Sequence, residues 1–128
     1  MNYLIIDDDV DDQEIFALAL KRLNKPANVI TAKDGIEALE IVTGDKTFVP
    51  DCIFLDLNMP RMGGKDCLVE MRKLPWLKNV PIVIYSTSSQ DSDRHETQKL
   101  GATDFVSKEW DINRLKLSLS SLFNRHRI

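Results

Sequence analysis

The sequence predicts one α/β domain built on a parallel sheet. Short apolar runs alternate with helical patterns along the whole chain, and that alternation is typical of βαβ units. The run at 81–85 is almost unbroken and β-branched, as in a strand covered on both faces. A length of 128 residues with 43% apolar residues fits a single domain with a packed core, 1–128, without an output domain.

Each element has a local signal. The predicted strands are 3–7, 29–32, 52–56, 81–85 and 104–107. The predicted helices are 11–23, 35–44, 65–74 and 91–100, and a final helix is marked by apolar residues over 112–122 with 125–127 as its charged end. Their apolar faces are marked by Phe16, Leu20 and Leu23, by Ile36 and Leu39, by Leu68 and Met71, and by Ile112, Leu115, Leu119 and Leu122. Pro26 and Pro75 follow helix ends, and Gly44 and Gly101 are placed as C-caps.

Composition limits the function classes. The net charge of −3 argues against nucleic acid or an anionic membrane as the main partner. Acidic residues crowd near the start of the first helix, where Asp11 and Asp12 suit the helix dipole. Cys52 and Cys67 lack metal-ligand spacing, and the first strand begins at once without a leader-like segment. We therefore expect a cytoplasmic protein with reduced thiols.

Chemistry-bearing side chains follow the predicted strands. Asp7 and Asp8 close the first strand, Asp56 the third, and Ser86 and Lys108 the fourth and fifth. Parallel strands bring these groups to one edge of the sheet, where ligands bind in open α/β folds. Three acids favour a hard cation, and an acid beside a cation and a lysine suits phosphate chemistry. Three clustered carboxylates also repel, so at least one pKa should be raised without metal.

Each of these residues can also be interpreted as having a purely structural role. Asp56 could be an ordinary strand-end cap, and Asp7 or Asp8 could cap the first helix. Lys108 could be a solvated surface lysine, and the hydroxyls at 87–89 compete with the strand-end serine.

Six stretches, taken together in this order and spacing, resemble the receiver domain of bacterial response regulators over essentially the whole chain. They are Ile5-Ile6-Asp7-Asp8-Asp9, Phe54-Leu55-Asp56-Leu57-Asn58-Met59-Pro60, Gly63-Gly64, Pro81-Ile82-Val83-Ile84-Tyr85-Ser86, Leu100-Gly101-Ala102 and Phe105-Val106-Ser107-Lys108. The resemblance is to the stand-alone, chemotaxis-type members. It implies a flavodoxin-like, doubly wound, five-stranded sheet of order 2-1-3-4-5 with five helices, and a switch point between the first and third strands.

The resemblance also implies roles for the strand-end residues. Asp56 would be the phosphoacceptor, forming a 4-aspartylphosphate. Asp8, Asp56 and the backbone carbonyl of Asn58 would ligate Mg²⁺, for which Mn²⁺ is a possible substitute. Asp7 would hold the ion through water, and Lys108 would contact the phosphoryl group.

By the same resemblance, phosphorylation would be read out by Ser86 and Phe105 at the face of the fourth helix, fifth strand and fifth helix. Trp110 would contribute to that face. Asn58 and Ser88 would tune the lifetime of the phosphorylated form, for which we expect slow self-hydrolysis. The alternative for Phe105 is an immobile core aromatic.

One position departs from the family pattern. Receiver domains usually carry a proline after the lysine, with a cis peptide between them, whereas Glu109 follows Lys108 here. Because cis bonds without proline are rare, we predict a trans peptide. Lys108 should still reach Asp56 through its long flexible stem.

The expected function is a phosphorelay switch that is phosphorylated by a histidine kinase or histidine phosphotransfer protein. It would act on an unknown downstream protein in trans, as a monomer or weak dimer, and would not be a dedicated enzyme. One alternative is a phosphatase with an aspartyl phosphate, but such hydrolases resembling haloacid dehalogenases carry an acid where this chain has Asn58. Another is an interaction module that keeps only the fold.

Overall fold

The computed structural model describes residues 1–25, 27–44, 48–88, 90–109 and 111–128. The strands are β1 (Asn2–Ile6), β2 (Asn28–Ala32), β3 (Cys52–Leu55), β4 (Ile82–Ser86) and β5 (Asp104–Ser107). The helices are α1 (Val10–Arg22), α2 (Gly35–Gly44), α3 (Gly64–Arg72), α4 (Asp91–Lys99) and α5 (Ile112–His126), and a 3₁₀ turn spans Pro75–Leu77.

All strand pairs are parallel, and the strand order is β2-β1-β3-β4-β5. The predicted fold class is therefore confirmed. The strand ends are level within two pairs, since Ile6 pairs with Leu55 and Ser86 pairs with Ser107, while β4 extends two residues beyond β3 because Leu55 pairs with Ile84. The residues that follow these strands consequently lie side by side. The order reverses between β1 and β3, which creates the crevice where ligands bind in such sheets.

Two apolar layers cover the sheet, one on each face. Alternate strand residues point to opposite faces, so Leu4 and Ile6 enter one layer while Tyr3 and Ile5 enter the other. The first layer is completed by Ala38, Val42, Leu68 and Met71 from α2 and α3. The second is completed by Phe16, Leu20, Leu115, Leu119 and Leu122 from α1 and α5. This two-sided burial explains the continuous apolar character of the central strands.

Helix ends differ from the prediction by a few residues. The last helix continues to His126, because its backbone hydrogen bonds outlast the apolar stripe that marks it in sequence. It stops at Arg127, which adopts the left-handed conformation with φ of 55°. Gly101, with φ of 109°, follows the end of α4 as predicted. The 3₁₀ turn in the connector after α3 has no signal in the sequence.

Cys52 and Cys67 are both free and buried, which agrees with their predicted role as packed thiols. In the described part of the chain, every helix is too short or too polar to cross a membrane.

Candidate functional site

The carboxyl edge of the sheet brings the predicted acids together. Asp7 and Asp56 directly follow β1 and β3, and the backbone N–H of Asp56 donates to the Ile6 carbonyl at 2.9 Å. Carboxylate oxygens of Asp7, Asp8 and Asp56 all lie within 4.8 Å of one another. Asp7 and Asp56 are buried, with 2% and 6% of their surface exposed, whereas Asp8 is exposed. Hard oxygen donors with one solvent-facing member fit a divalent cation such as Mg²⁺, which keeps several waters.

The start of α1 holds Asp7 in place. Its Oδ1 accepts the Asp9 backbone N–H at 2.9 Å, and its carbonyl accepts the Gln13 side-chain amide at 2.6 Å. Asp9 is the helix cap, since its side chain accepts the backbone N–H groups of Asp11 and Asp12. Asp7 and Asp8 therefore do not serve as caps.

Lys108 reaches into the acidic cluster. Its Nζ lies 2.8 Å from Asp7 Oδ2, 2.9 Å from Asp12 Oδ2 and 3.4 Å from Asp56 Oδ2. The lysine side chain is 9% exposed, so it is not a solvated surface group. The described residues contain no cis peptide, so the bond from Lys108 to Glu109 is trans, as predicted.

The backbone of the fifth strand aims this lysine. The Lys108 N–H donates to the Ser86 carbonyl at 2.8 Å, which continues the β4–β5 ladder by one residue. Asp12 was interpreted from sequence only as a helix-dipole residue. Its contact with Lys108 joins residues 96 apart in the chain, so no local pattern signals it.

Burial dominates the electrostatics of the acids. Desolvation raises the pKa of Asp7 and of Asp56, and Lys108 opposes the rise in both. A raised pKa was predicted, but mutual repulsion is not its main cause. Burial alone would lower the pKa of Lys108, whereas hydrogen bonds to Asp7 and Asp12 and the charge of Asp56 outweigh it and raise that pKa.

The β4–α4 loop carries the predicted hydroxyls. Ser86 is fully buried at the end of β4, and its Oγ accepts the Ser88 N–H at 3.3 Å. The Ser88 hydroxyl donates to Asp93 Oδ2 at 2.5 Å. Lys65, at the start of α3, pairs with Asp93 at 2.9 Å and with Glu96 at 2.7 Å. Ser88 is thus tied through Asp93 to α3, a connection that the sequence did not indicate.

Phe105 is 9% exposed, and the Arg94 guanidinium lies 4.5 Å from its ring centroid. Two surface grooves, of about 270 Å³ and about 440 Å³, meet at these two side chains. Trp110, which was predicted to join this face, lies outside the described residues, as does Ser89.

The β3–α3 loop carries Asn58 and is anchored on both sides. Arg61 forms a two-point ion pair with Asp34, at 2.7 Å and 3.1 Å, and the Arg61 hydrogen bond lowers the pKa of Asp34 to about 2. On the other side, the Gly64 N–H donates to the Leu57 carbonyl at 3.0 Å. The exposed Asn58 lies between these anchors. The clamp between Asp34 and Arg61 was not predicted.

A parallel sheet of this order, with buried acids and a lysine at its switch point, defines a phosphate-handling signalling domain. The chain belongs to the response regulator receiver domain family, whose family model matches residues 3–120. Members of this family are phosphorylated on an aspartate in two-component signalling, where they work with histidine kinases and downstream targets.

Curated relatives include the sensor histidine kinase CheAY of Helicobacter pylori, 33% identical over 108 residues. That match covers 84% of this chain and 13% of CheAY. The probable transcriptional regulator ycf27 of Porphyridium aerugineum is 33% identical over 122 residues, covering 95% of this chain and 48% of ycf27. The chain therefore spans half or less of the length of these two relatives.

Solved structures give the same family. The phosphorylated cyanobacterial phytochrome response regulator RcpA is 27% identical, with a TM-score of 0.85, and the match covers 95% of this chain and 90% of RcpA. One chain of a CheX–CheY–BeF₃–Mg²⁺ complex from Borrelia burgdorferi is 27% identical to this chain, with a TM-score of 0.78. The match covers 96% of this chain and 89% of that chain.

Proposed function

We propose that this receiver domain is a phosphoacceptor switch that carries its phosphoryl group on Asp56. The observation that supports this choice is the placement of Asp56. It is 6% exposed, directly follows the central strand β3, and lies beside Lys108 and beside Asp7 and Asp8. Asp7 is equally buried, but its Oδ1 is occupied by the Asp9 N–H and its Oδ2 by Lys108 at 2.8 Å. Asp56 has the longer contact with the lysine, 3.4 Å against 2.8 Å for Asp7.

The proposed reaction moves the phosphoryl group from a histidine of a kinase or phosphotransfer protein. A carboxylate oxygen of Asp56 attacks phosphorus, a P–O bond forms, and the P–N bond breaks. The imidazole nitrogen leaves with the electron pair and takes a proton from solvent. Lys108 donates a hydrogen bond to the phosphoryl oxygens during transfer.

The proposed ligands of Mg²⁺, or of Mn²⁺ in its place, are Asp8, Asp56 and the backbone carbonyl of Asn58, with Asp7 binding through water. The ion supplies neutralisation of the charge on the phosphoryl oxygens. The carboxylate oxygens of Asp7, Asp8 and Asp56, which lie within 4.8 Å of one another, and the exposed position of Asp8 support this assignment. The Mg²⁺-containing CheY relative supports it as well.

The proposed output is a change at the surface around α4, β5 and α5. New phosphoryl acceptors draw the buried Ser86 hydroxyl inward, and Phe105 repacks toward the space that it leaves. The two grooves beside Phe105 support this, because movement of that ring would merge or reshape them. A downstream protein binds there in trans, in the cytoplasm. We propose neither nucleic acid nor membrane as a partner, and we expect a monomer or weak dimer.

Asn58 and Ser88 flank the proposed path of the water that hydrolyses the acyl phosphate. Neither is an acid or base that activates water, so we expect slow self-hydrolysis and no dedicated enzyme activity. Decay of the phosphorylated form within seconds at room temperature would contradict this expectation.

The test is labelling of the protein by a small phosphodonor, such as acetyl phosphate, with Mg²⁺. Asp56→Ala should abolish the labelling. Asp66→Ala removes an exposed acid from α3 and is the matched control, which should label like wild type. Labelling that persists in Asp56→Ala would remove the assignment. Steady turnover of phosphate esters would favour a phosphatase instead.

A further inference from the structure

Lys108 has a partner that lies outside the acidic cluster. Asp12, in the first turn of α1, holds the lysine Nζ at 2.9 Å, half an ångström closer than Asp56 does at 3.4 Å. The cluster that suits a cation consists of Asp7, Asp8 and Asp56. Asp12 therefore acts on Lys108 and not on the metal position.

The donor capacity of the ammonium explains the pattern. A lysine has three N–H donors. Two of them make short bonds, to Asp7 and Asp12, and the third makes a long contact with Asp56. The position of Nζ is thus set mainly by the two carboxylates that are not phosphorylated.

The two close partners, Asp7 and Asp12, differ in the free-energy cost of losing the lysine. The side chain of Asp7 is 3% exposed and that of Asp12 is 29% exposed. A buried carboxylate that loses its partner pays the full desolvation cost, whereas a partly exposed one is hydrated instead. Asp12 also lines a groove of about 380 Å³ beside Thr87 and Glu109, so it has open space to turn into.

We propose that Asp12 is a positioning residue that holds the Lys108 ammonium off Asp56 in the unphosphorylated state. On phosphorylation the phosphoryl oxygens compete for the ammonium, and Asp12 is the partner that gives way. This inference rests on the proposed function. It predicts that Asp12 weakens the phosphorylated state, since its contact must be broken to form the lysine–phosphoryl contact.

The test is the dissociation constant of beryllofluoride, a phosphoryl mimic, measured by NMR titration at saturating Mg²⁺. Asp12→Asn should bind it about three- to tenfold more tightly than wild type, the scale of one ordinary, partly exposed hydrogen bond that no longer has to be broken. Asp11→Asn is the matched control: it removes the same charge from the same turn of α1, at an exposed residue, and should stay within about twofold of wild type.

Two further measurements distinguish the direct contact between Asp12 and Lys108 from a general effect of the protein's charge. The gain in Asp12→Asn should persist at about 1 M salt, because exposed charges are screened there and Lys108 is buried. Asp12→Glu, which restores the carboxylate, should return the affinity toward wild type.

Equal affinities for Asp12→Asn and Asp11→Asn, or weaker binding by Asp12→Asn, would overturn the role of Asp12 and leave the proposed function intact. If wild type itself shows no saturable binding, the proposed function is overturned and this inference with it.

Discussion

Asp56 carries a charge that burial disfavours and that Lys108 only partly offsets. Its pKa is raised in the folded protein, with desolvation as the main cause and the lysine acting against it. The ionised carboxylate at neutral pH is therefore a net cost to the metal-free fold. Such a cost is common where a site is arranged for chemistry before its ligand arrives.

The pH dependence of stability follows from that direction. Because the folded pKa of Asp56 lies above its unfolded value, the folded state binds the proton more tightly, and stability falls as pH rises through the folded pKa. Asp56→Asn should therefore raise the free energy of unfolding at pH 7 in EDTA, as measured by urea denaturation. The advantage should shrink as pH falls below the raised pKa toward the unfolded value, and also when Mg²⁺ is added to both proteins. An advantage that grows on acidification would contradict this.

Asp7 and Asp8, which follow β1, should contribute unequally to metal binding. Asp8→Ala should weaken Mg²⁺ binding by about tenfold or more, and Asp7→Ala by less, because a direct ligand loses more than one that binds through water. Titration of the metal into each variant, followed by NMR, gives the comparison. Equal losses would show that the two carboxylates share one role.

The sequence predicted that these side chains meet at one edge of the sheet, because they come at the ends of buried strands. Asp7, Asp8, Asp56 and Lys108 all come after apolar runs, and parallel strands place such positions at one edge. The sequence did not predict the contact between Asp12 and Lys108, because the helix dipole already explains an acid at position 12. It also missed the Asp34–Arg61 ion pair, since that contact joins two loops, and side-chain reach across loops leaves no periodic trace.

At the scale of elements, the start of α3 packs directly on the backbone of Asp56 and Leu57. A Cβ placed on Gly64 would overlap the Asp56 carbonyl oxygen and lie 2.8 Å from Leu57 Cα. Both obstacles are backbone atoms, which cannot rotate away. The glycine therefore permits this close approach of α3 to the Asp56 backbone.

Gly64→Ala should lower the free energy of unfolding by about 1–3 kcal/mol, the usual cost of overpacking. It should also shift the NMR signals of the residues around Asp56. Gly44→Ala is the control, because a Cβ on this last residue of α2 meets nothing within 4 Å. That variant should be neutral or slightly stabilising, since alanine favours helix. Equal stability in the two variants would refute the close-approach argument.

Element boundaries show where sequence patterns stop being informative. The strands were predicted to within one or two residues, because apolar runs end where the sheet ends. The 3₁₀ turn Pro75–Leu77 was not predicted, since one short turn has too few residues to show a period. The charged segment 125–127 was interpreted as the end of the last helix, and α5 does end at His126, because basic side chains suit the last turn of a helix.

At the scale of the whole molecule, the site lies at the carboxyl edge of a sheet packed on both faces, and the α4–β5–α5 side carries two grooves around Phe105. Arg94 on α4 lies over Phe105 on β5. Any repacking of Phe105 must therefore alter the contact between α4 and the sheet. This is how a change at Asp56 would reach the surface.

Ser86→Ala should leave phosphorylation of Asp56 largely intact and weaken phosphorylation-dependent partner binding by about tenfold. The reason is that the inward-moving hydroxyl is lost while the nucleophile and the lysine remain. A pull-down that compares beryllofluoride-treated with untreated protein measures this. Thr87→Ala, which removes an exposed hydroxyl one residue away, should behave like wild type. Unchanged binding by Ser86→Ala would exclude the switch route through this residue.

The helix α4 buries a single side chain, Thr97, while α1, α3 and α5 each bury three or more. Most substitutions along its outer face consequently cost folding very little. Selection for a new partner can act there without disturbing the two apolar layers or the acids at the sheet edge. Descendants of this chain can therefore diverge in the partners that they bind through α4 while they keep the same phosphorylation chemistry.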